Sequence, residues 1–179
     1  MLWDCITLID DATVSALREL GGIRAIAISH PHYYSCVVEW SHAFDAAVYL
    51  HEADREWVMR RDPRIEFWTG ETRPLWDGMT LIRCGGHFEG GTVLHLAGAG
   101  ALLAGDILQV TQDRDWVSFM YSYPNYIPLS AAKVDRIVAA VEPYKFDRLY
   151  GAWWDRNLRS GAKDAVRRSA ERYKRAIRG

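Results

Sequence analysis

Ile23-Arg24-Ala25-Ile26-Ala27-Ile28-Ser29-His30-Pro31-His32-Tyr33-Tyr34-Ser35 decides how the rest of the chain is read. Its first half is a short apolar run between Gly21-Gly22 and a polar loop, the pattern of a buried strand. Its second half places two histidines where that strand runs into the loop. In extended chain, residues i and i+2 project to the same side, so His30 and His32 can converge on one ion, and Pro31 stiffens the link between them. Two partly exposed loop histidines with no shared ligand are the plainer alternative.

Outward from this stretch, the periodicity alternates between helix and strand. Asp11 and Thr13 can cap a helix running to Leu20 and ended by Gly21-Gly22. Downstream, Val37–Phe44 suits a helix, Ala47–Leu50 a strand, and Glu52–Arg60 a helix that stops before Asp62-Pro63. Ile65–Trp68, Met79–Cys84, Thr92–Ala97 and Ala101–Ala104 are short apolar or alternating runs between glycine-rich turns, read as an antiparallel meander. Ser130 can cap a helix over Ala131–Val141, Phe146–Tyr150 reads as a last strand, and Ala162–Arg178 carries a helical apolar stripe. Strand and helix units flanking an antiparallel middle predict an α/β fold with mixed sheets and outer helices, one domain over residues 1–179.

The composition narrows the function classes. With 179 residues, 49% hydrophobic and 25% charged, the chain can bury enough apolar surface to offset the entropy of ordering, which excludes wholesale disorder. Lys and Arg number 22 against 23 Asp and Glu, so the chain lacks the basic excess of a nucleic-acid binder, and no nucleic-acid partner is expected. The basic face of Ala162–Arg178 is read as solvated helix surface. Cys5, Cys36 and Cys84 are odd in number and widely spaced, which fits reduced thiols and a cytoplasmic location. No apolar run approaches the roughly 20 residues that span a bilayer, so no membrane partner is expected.

Two further stretches carry chemistry. His87 lies in Cys84-Gly85-Gly86-His87-Phe88-Glu89-Gly90-Gly91, directly after an apolar strand and in a turn where backbone can approach a site closely. Asp106 follows Leu102-Leu103-Ala104-Gly105, and a carboxylate at the end of a buried strand must be solvated, hydrogen-bonded or metal-linked. His42, His51 and His95 fall within predicted elements and are read as structural.

This order of landmarks resembles the metallo-β-lactamase superfamily, in particular its glyoxalase-like hydrolases. Leu2-Trp3-Asp4-Cys5 stands where that family has a strand ending in Asp, Ser29–Ser35 where it has a His-x-His-x-Asp-His metal loop, His87 where it has its third histidine, and Gly105-Asp106 where it has a Gly-Asp pair. The resemblance implies an αββα sandwich whose first strands would precede Leu2. The sheet edge then left open is expected to be covered by another segment or by self-association. It also implies a metal site of His30, His32 and His87, with Asp106 as fourth ligand or as the group that orients water. Zn²⁺ is the expected ion, one per chain, with iron and manganese as alternatives.

The departures are as informative. Tyr34 and Ser35 stand where the family's loop has Asp and His, and no histidine follows the strand at Leu149-Tyr150-Gly151, so the second metal position is dismantled. Asp155 is read as a surface carboxylate. Tyr34 either donates a hydrogen bond to a substrate carbonyl or fills the space of the missing ion. The implied function is a hydrolase-like protein acting on a small-molecule ester, thioester or lactone. A non-catalytic relative that binds a small ligand or partner is the alternative.

Overall fold

The computed structural model describes residues 1–178. Four strands, β1 (Leu2–Trp3), β2 (Ala25–Ala27), β3 (Ala47–His51) and β4 (Ile65–Trp68), form one sheet in the order β1-β2-β3-β4. Every pair in it is parallel. α1 (Asp11–Glu19) and α2 (Val37–Phe44) supply the crossovers. Ile65–Trp68 therefore belongs to this parallel sheet and not to the antiparallel meander its neighbours suggested. A four-residue apolar run carries no information about its partner, and only the connection that precedes it decides the direction.

The second sheet has the order β14-β13-β8-β7-β6-β5, built from β5 (Thr72–Pro74), β6 (Met79–Arg83), β7 (Thr92–Leu96), β8 (Ala101–Gly105), β13 (Arg148–Gly151) and β14 (Asn157–Leu158). It is mixed, antiparallel except where β13 runs parallel to β8. Short pairs β9 (Gln109–Val110) with β10 (Val117–Ser118), and β11 (Met120–Ser122) with β12 (Ile127–Pro128), form small ribbons beside it. α3 (Ala131–Val141) and α4 (Ala162–Arg178) cover its outer face.

Three apolar clusters define four layers. Ile26, Ile28, Trp40, Val48 and Leu50 pack the first sheet against α2. Ala27, Trp68, Leu81 and Leu94 join the two sheets. Ile82, Leu102, Leu149, Ile137 and Val166 fill the space between the second sheet and α3 and α4. The result is the αββα sandwich that the resemblance implied, with one parallel sheet and one mixed sheet where mixed sheets were expected.

Local signals moved by a residue or two. Asp10, not Asp11, caps α1, its carboxylate accepting from the Thr13 N–H at 2.8 Å. Glu52–Trp57 is a 3₁₀ helix and not the longer α-helix expected over Glu52–Arg60. The cations of α4 are largely matched within the chain. Lys174 pairs with Asp135 and Glu171, Arg167 with Glu142, and Arg172 lies over the Trp116 ring at 4.0 Å. No helix among the described residues is long and apolar enough to cross a membrane.

Candidate metal centre

The site lies where four strands end. Asp4 follows β1 and His30 follows β2, which run parallel, while Asp106 and Trp153 follow β8 and β13, also parallel. The two sheets are tied at this point by the Thr92 N–H, which donates to the Ser29 carbonyl at 2.9 Å. His32 does not sit in extended chain as its spacing suggested. Pro31 opens a 3₁₀ turn over Pro31–Tyr33, in keeping with its fixed φ and missing N–H. That turn, and not strand alternation, brings His32 round to His30.

His87 is delivered by the glycine turn between β6 and β7. The Cys84 and Gly85 N–H groups both donate to the Gly91 carbonyl, at 2.8 and 2.9 Å. The imidazoles of His30, His32 and His87 form a near-equilateral triangle with ring centroids 4.9, 4.9 and 5.1 Å apart. With Asp106 they offer four ligand atoms all within 4.8 Å of one another. His30, His87 and Asp106 are buried and His32 is exposed.

A hydrogen-bond chain sets the orientation of His30. The Ser29 N–H and Oγ–H donate to the Asp4 carboxylate at 2.7 and 3.0 Å. Ser29 Oγ therefore accepts from His30 Nδ1–H at 2.8 Å, leaving Nε2 as a lone pair. His87 Nδ1–H donates to the Met120 carbonyl at 3.3 Å, with the same effect on its ring. The Nε2 atoms of His30 and His87 are both buried and have no hydrogen-bond partner among the described residues. Asp106 Oδ2 lies 3.8 Å from His30 Nε2. Buried acceptors that face one another with no donor between them are costly unless a cation sits among them. These residues fit a divalent metal ion.

The electrostatics agree. Desolvation, reinforced by His87 and His32, pushes His30 down to about 2, so its ring is neutral. Burial also lowers His87 and raises Asp106, the latter against the pull of His87 and the Trp153 hydrogen bond. Asp4 is pushed up to about 7 by burial, against the two hydrogen bonds from Ser29 that favour its anion. Neutral imidazoles are the form that ligates metal.

Several residues that shape the site were not singled out in the sequence. Phe88 packs its ring 5.8, 5.0 and 5.1 Å from those of His30, His32 and His87. Its place beside His87 was the only available signal. Tyr33, the neighbour of Tyr34, lies 5.0 Å from His30. Tyr34 itself packs against the core of the first sheet and makes no hydrogen bond to the four cluster side chains among the described residues. Its part in any chemistry rests on its sequence position alone. Asp155 pairs at the surface with Arg114, and His42, His51 and His95 are held by Asp62, Gly70 and Lys145. Cys5, Cys36 and Cys84 are buried free thiols outside the cluster.

Asp54 is a second unforeseen element. It accepts from the Gly90 N–H at 2.7 Å and so fastens the turn that carries His87. A Cβ on Gly90 would come within 2.6 Å of that carboxyl, so the close approach needs glycine. Burial pushes Asp54 up from 3.8 to about 6, and its Oδ2 has no partner among the described residues. The folded protein thus holds a proton that the unfolded chain has released, and this group's contribution lowers stability as pH rises from about 4 to about 6, then stays flat. Asp54→Asn keeps the acceptor and removes the charge. The variant is expected to be more stable than the parent by about 1–3 kcal/mol above pH 6, with the difference vanishing near pH 4, as read by urea unfolding.

A cleft of ≈ 650 Å³ opens onto the histidines, lined by His32, Trp57, His87, Phe88, Tyr121 and Ile127 among others. A larger one of ≈ 880 Å³ between Glu52–Val58 and β4 contains none of the cluster residues. Of the two, only the cleft of ≈ 650 Å³ is lined by cluster residues, His32 and His87.

No protein-family model matches the chain. It is 54% identical over 181 residues to the uncharacterized protein YmaE of Bacillus subtilis (strain 168), covering 99% of this chain and 66% of that protein. The solved metallo-β-lactamase FIM-1 from Pseudomonas aeruginosa, in a mono-zinc form, superposes with a TM-score of 0.67 at 14% identity, over 97% of this chain and 78% of that one. VMB-1 gives 0.71 at 11%, over 93% and 74%. TTHA1623, in a di-iron-bound form, gives 0.60 at 18%, over 91% and 85%. Identities this low speak to architecture alone, and together with the layer order they place the chain among proteins of the metallo-β-lactamase fold.

Proposed function

We propose that this chain is a metal-dependent hydrolase of a small-molecule ester, thioester or lactone, with His30, His32, His87 and Asp106 holding a single ion. The observation that carries the reading is the pair of buried, partnerless Nε2 atoms on His30 and His87 beside the buried Asp106 carboxylate. A divalent ion in such a set supplies a hydroxide nucleophile near neutral pH and polarises a carbonyl.

The chain's own residues do the rest. Ser29 and Asp4 hold His30 in the tautomer that turns its lone pair inward. The Met120 carbonyl does the same for His87. Phe88 and Trp57, with ring centroids 5.6 Å apart, give the cleft an apolar wall that suits an acyl or aryl group. Zinc and iron are both compatible with three imidazoles and a carboxylate, and the solved likenesses include a mono-zinc and a di-iron form.

The test is hydrolysis of a 4-nitrophenyl ester, an acyl thioester and a γ-lactone by protein loaded with Zn²⁺, Fe²⁺ or Mn²⁺. We expect at least one to be cleaved well above background, the rate to vanish with a chelator, and the ion to restore it. A protein that binds the ion but cleaves none of them is the second reading, a non-catalytic binder, motivated by Tyr34 and Ser35 in the metal loop.

A further inference from the structure

We infer that Trp153 is the positioning residue for Asp106, dedicating one carboxylate oxygen to its indole N–H and leaving the other as the single oxygen turned toward the imidazoles. The inference rests on the metal site proposed above.

The geometry is specific. Trp153 Nε1–H donates to Asp106 Oδ1 at 3.2 Å, while Oδ2 is the oxygen near His30. Among the described residues this is the one hydrogen bond made to the Asp106 side chain, and Asp106 is 7% exposed. Trp153 itself is 56% exposed and lies outside the apolar clusters. Core packing therefore does not dictate where its ring sits. A large side chain left half in water, with its polar edge aimed at a buried carboxylate, is placed by that hydrogen bond and by its loop.

The loop is built to deliver it. Gly151 and Gly105 are paired where the parallel register of β13 and β8 shifts, so Asp106 and Trp153 leave neighbouring strands at one level. The turn beyond is closed by the Arg156 N–H donating to the Trp153 carbonyl at 3.0 Å and the Gly151 N–H donating to the Arg156 carbonyl at 3.0 Å. Arg114 pins it from outside through Asp155.

An indole N–H is a donor with no lone pair, so Trp153 cannot ligate an ion. With that donor on Oδ1, the carboxylate is held so that Oδ2 is the oxygen turned toward the imidazoles. Trp153 thus orients the fourth candidate ligand. Partners that orient a ligand from behind are worth about 10–100-fold in metal affinity.

Trp153→Phe keeps an aromatic ring and removes the donor. In chelator competition it is expected to bind Zn²⁺ and Co²⁺ about 10–100-fold more weakly, and its Co²⁺ d–d absorption should differ from the parent's. Because the side chain is half exposed, unfolding of the metal-free variant should be unchanged. Trp153→Gln, which restores an N–H, should recover part of the affinity. Parent-like affinity and an unchanged Co²⁺ spectrum in Trp153→Phe would overturn the inference while leaving the metal site standing. A metal-independent check uses the ¹H–¹⁵N indole resonance of Trp153 in the metal-free protein. It should move upfield in Asp106→Ala, and an unmoved resonance also overturns the inference. Metal binding that responds to Trp153 in a protein without hydrolytic activity refutes the proposed function alone.

Discussion

In His87→Ala protein, zinc no longer raises the unfolding temperature, while the metal-free fold is unchanged or slightly more stable. His87 is buried with its Nε2 unpartnered, so truncating it in the metal-free state removes an unsatisfied group and offsets the loss of packing. In the parent, an ion at a hundred times its Kd stabilises the fold by about 2.7 kcal/mol, which for a chain of this size is a rise of about 5–10 °C. Removing one of three imidazoles costs at least as much affinity as removing a group behind a ligand, about a hundred-fold or more. The stabilisation should therefore disappear at the same zinc concentration. A thermal melt of both proteins, with and without zinc, reads this directly. An equal zinc-induced rise in the two would show that His87 is not a ligand.

Gly105→Ala is expected to produce the largest loss of stability of any single methyl addition near the site. Gly105 has φ +51, and a Cβ there would stand 2.5 Å from Ser29 Oγ and 2.7 Å from Ser29 Cβ. The left-handed conformation costs a residue with a Cβ about 1 kcal/mol or more, and overpacking adds about 1–3 kcal/mol. A total of about 2–4 kcal/mol corresponds to a fall of roughly 4–16 °C in the unfolding temperature. The displaced group is the hydroxyl that links Asp4 to His30. The variant should therefore lose metal affinity as well as stability, when affinity is measured at a temperature where it remains folded. A melt within 2 °C of the parent's would mean that Ser29 and Gly105 are not packed as described.

The four cluster residues were legible because the strand-end positions of His30, His87 and Asp106 marked them singly and the resemblance to the metallo-β-lactamase superfamily implied the set. His30, His32, His87 and Asp106 come together as that reading required. The means differ in part, since His32 arrives through the 3₁₀ turn that Pro31 opens. Strands and helices with strong periodicity, such as Met79–Arg83 and Ala162–Arg178, were also readable.

What escaped was set by distant parts of the chain. The Asp106 to Trp153 bond spans 47 residues and the Gly90 to Asp54 bond 36. Neither bond carries a local signal, because partners so far apart in the chain are brought together only by the fold. Ile65–Trp68 was assigned to the wrong sheet for the same reason, as β4 finds its parallel partner through β3. Asp4 was visible as a strand-end carboxylate, but its link to His30 runs through Ser29, whose hydroxyl has no periodicity to betray it.

The most direct measurement is the metal content of the protein purified without added metal, followed by titration with Zn²⁺, Fe²⁺ and Mn²⁺. Three imidazoles and one carboxylate that converge on a single point predict binding that saturates at about one ion per chain, and that is lost when His30, His32 or His87 is replaced. Less than about a tenth of an equivalent as purified, with no uptake of any of the three ions on titration, would contradict the account.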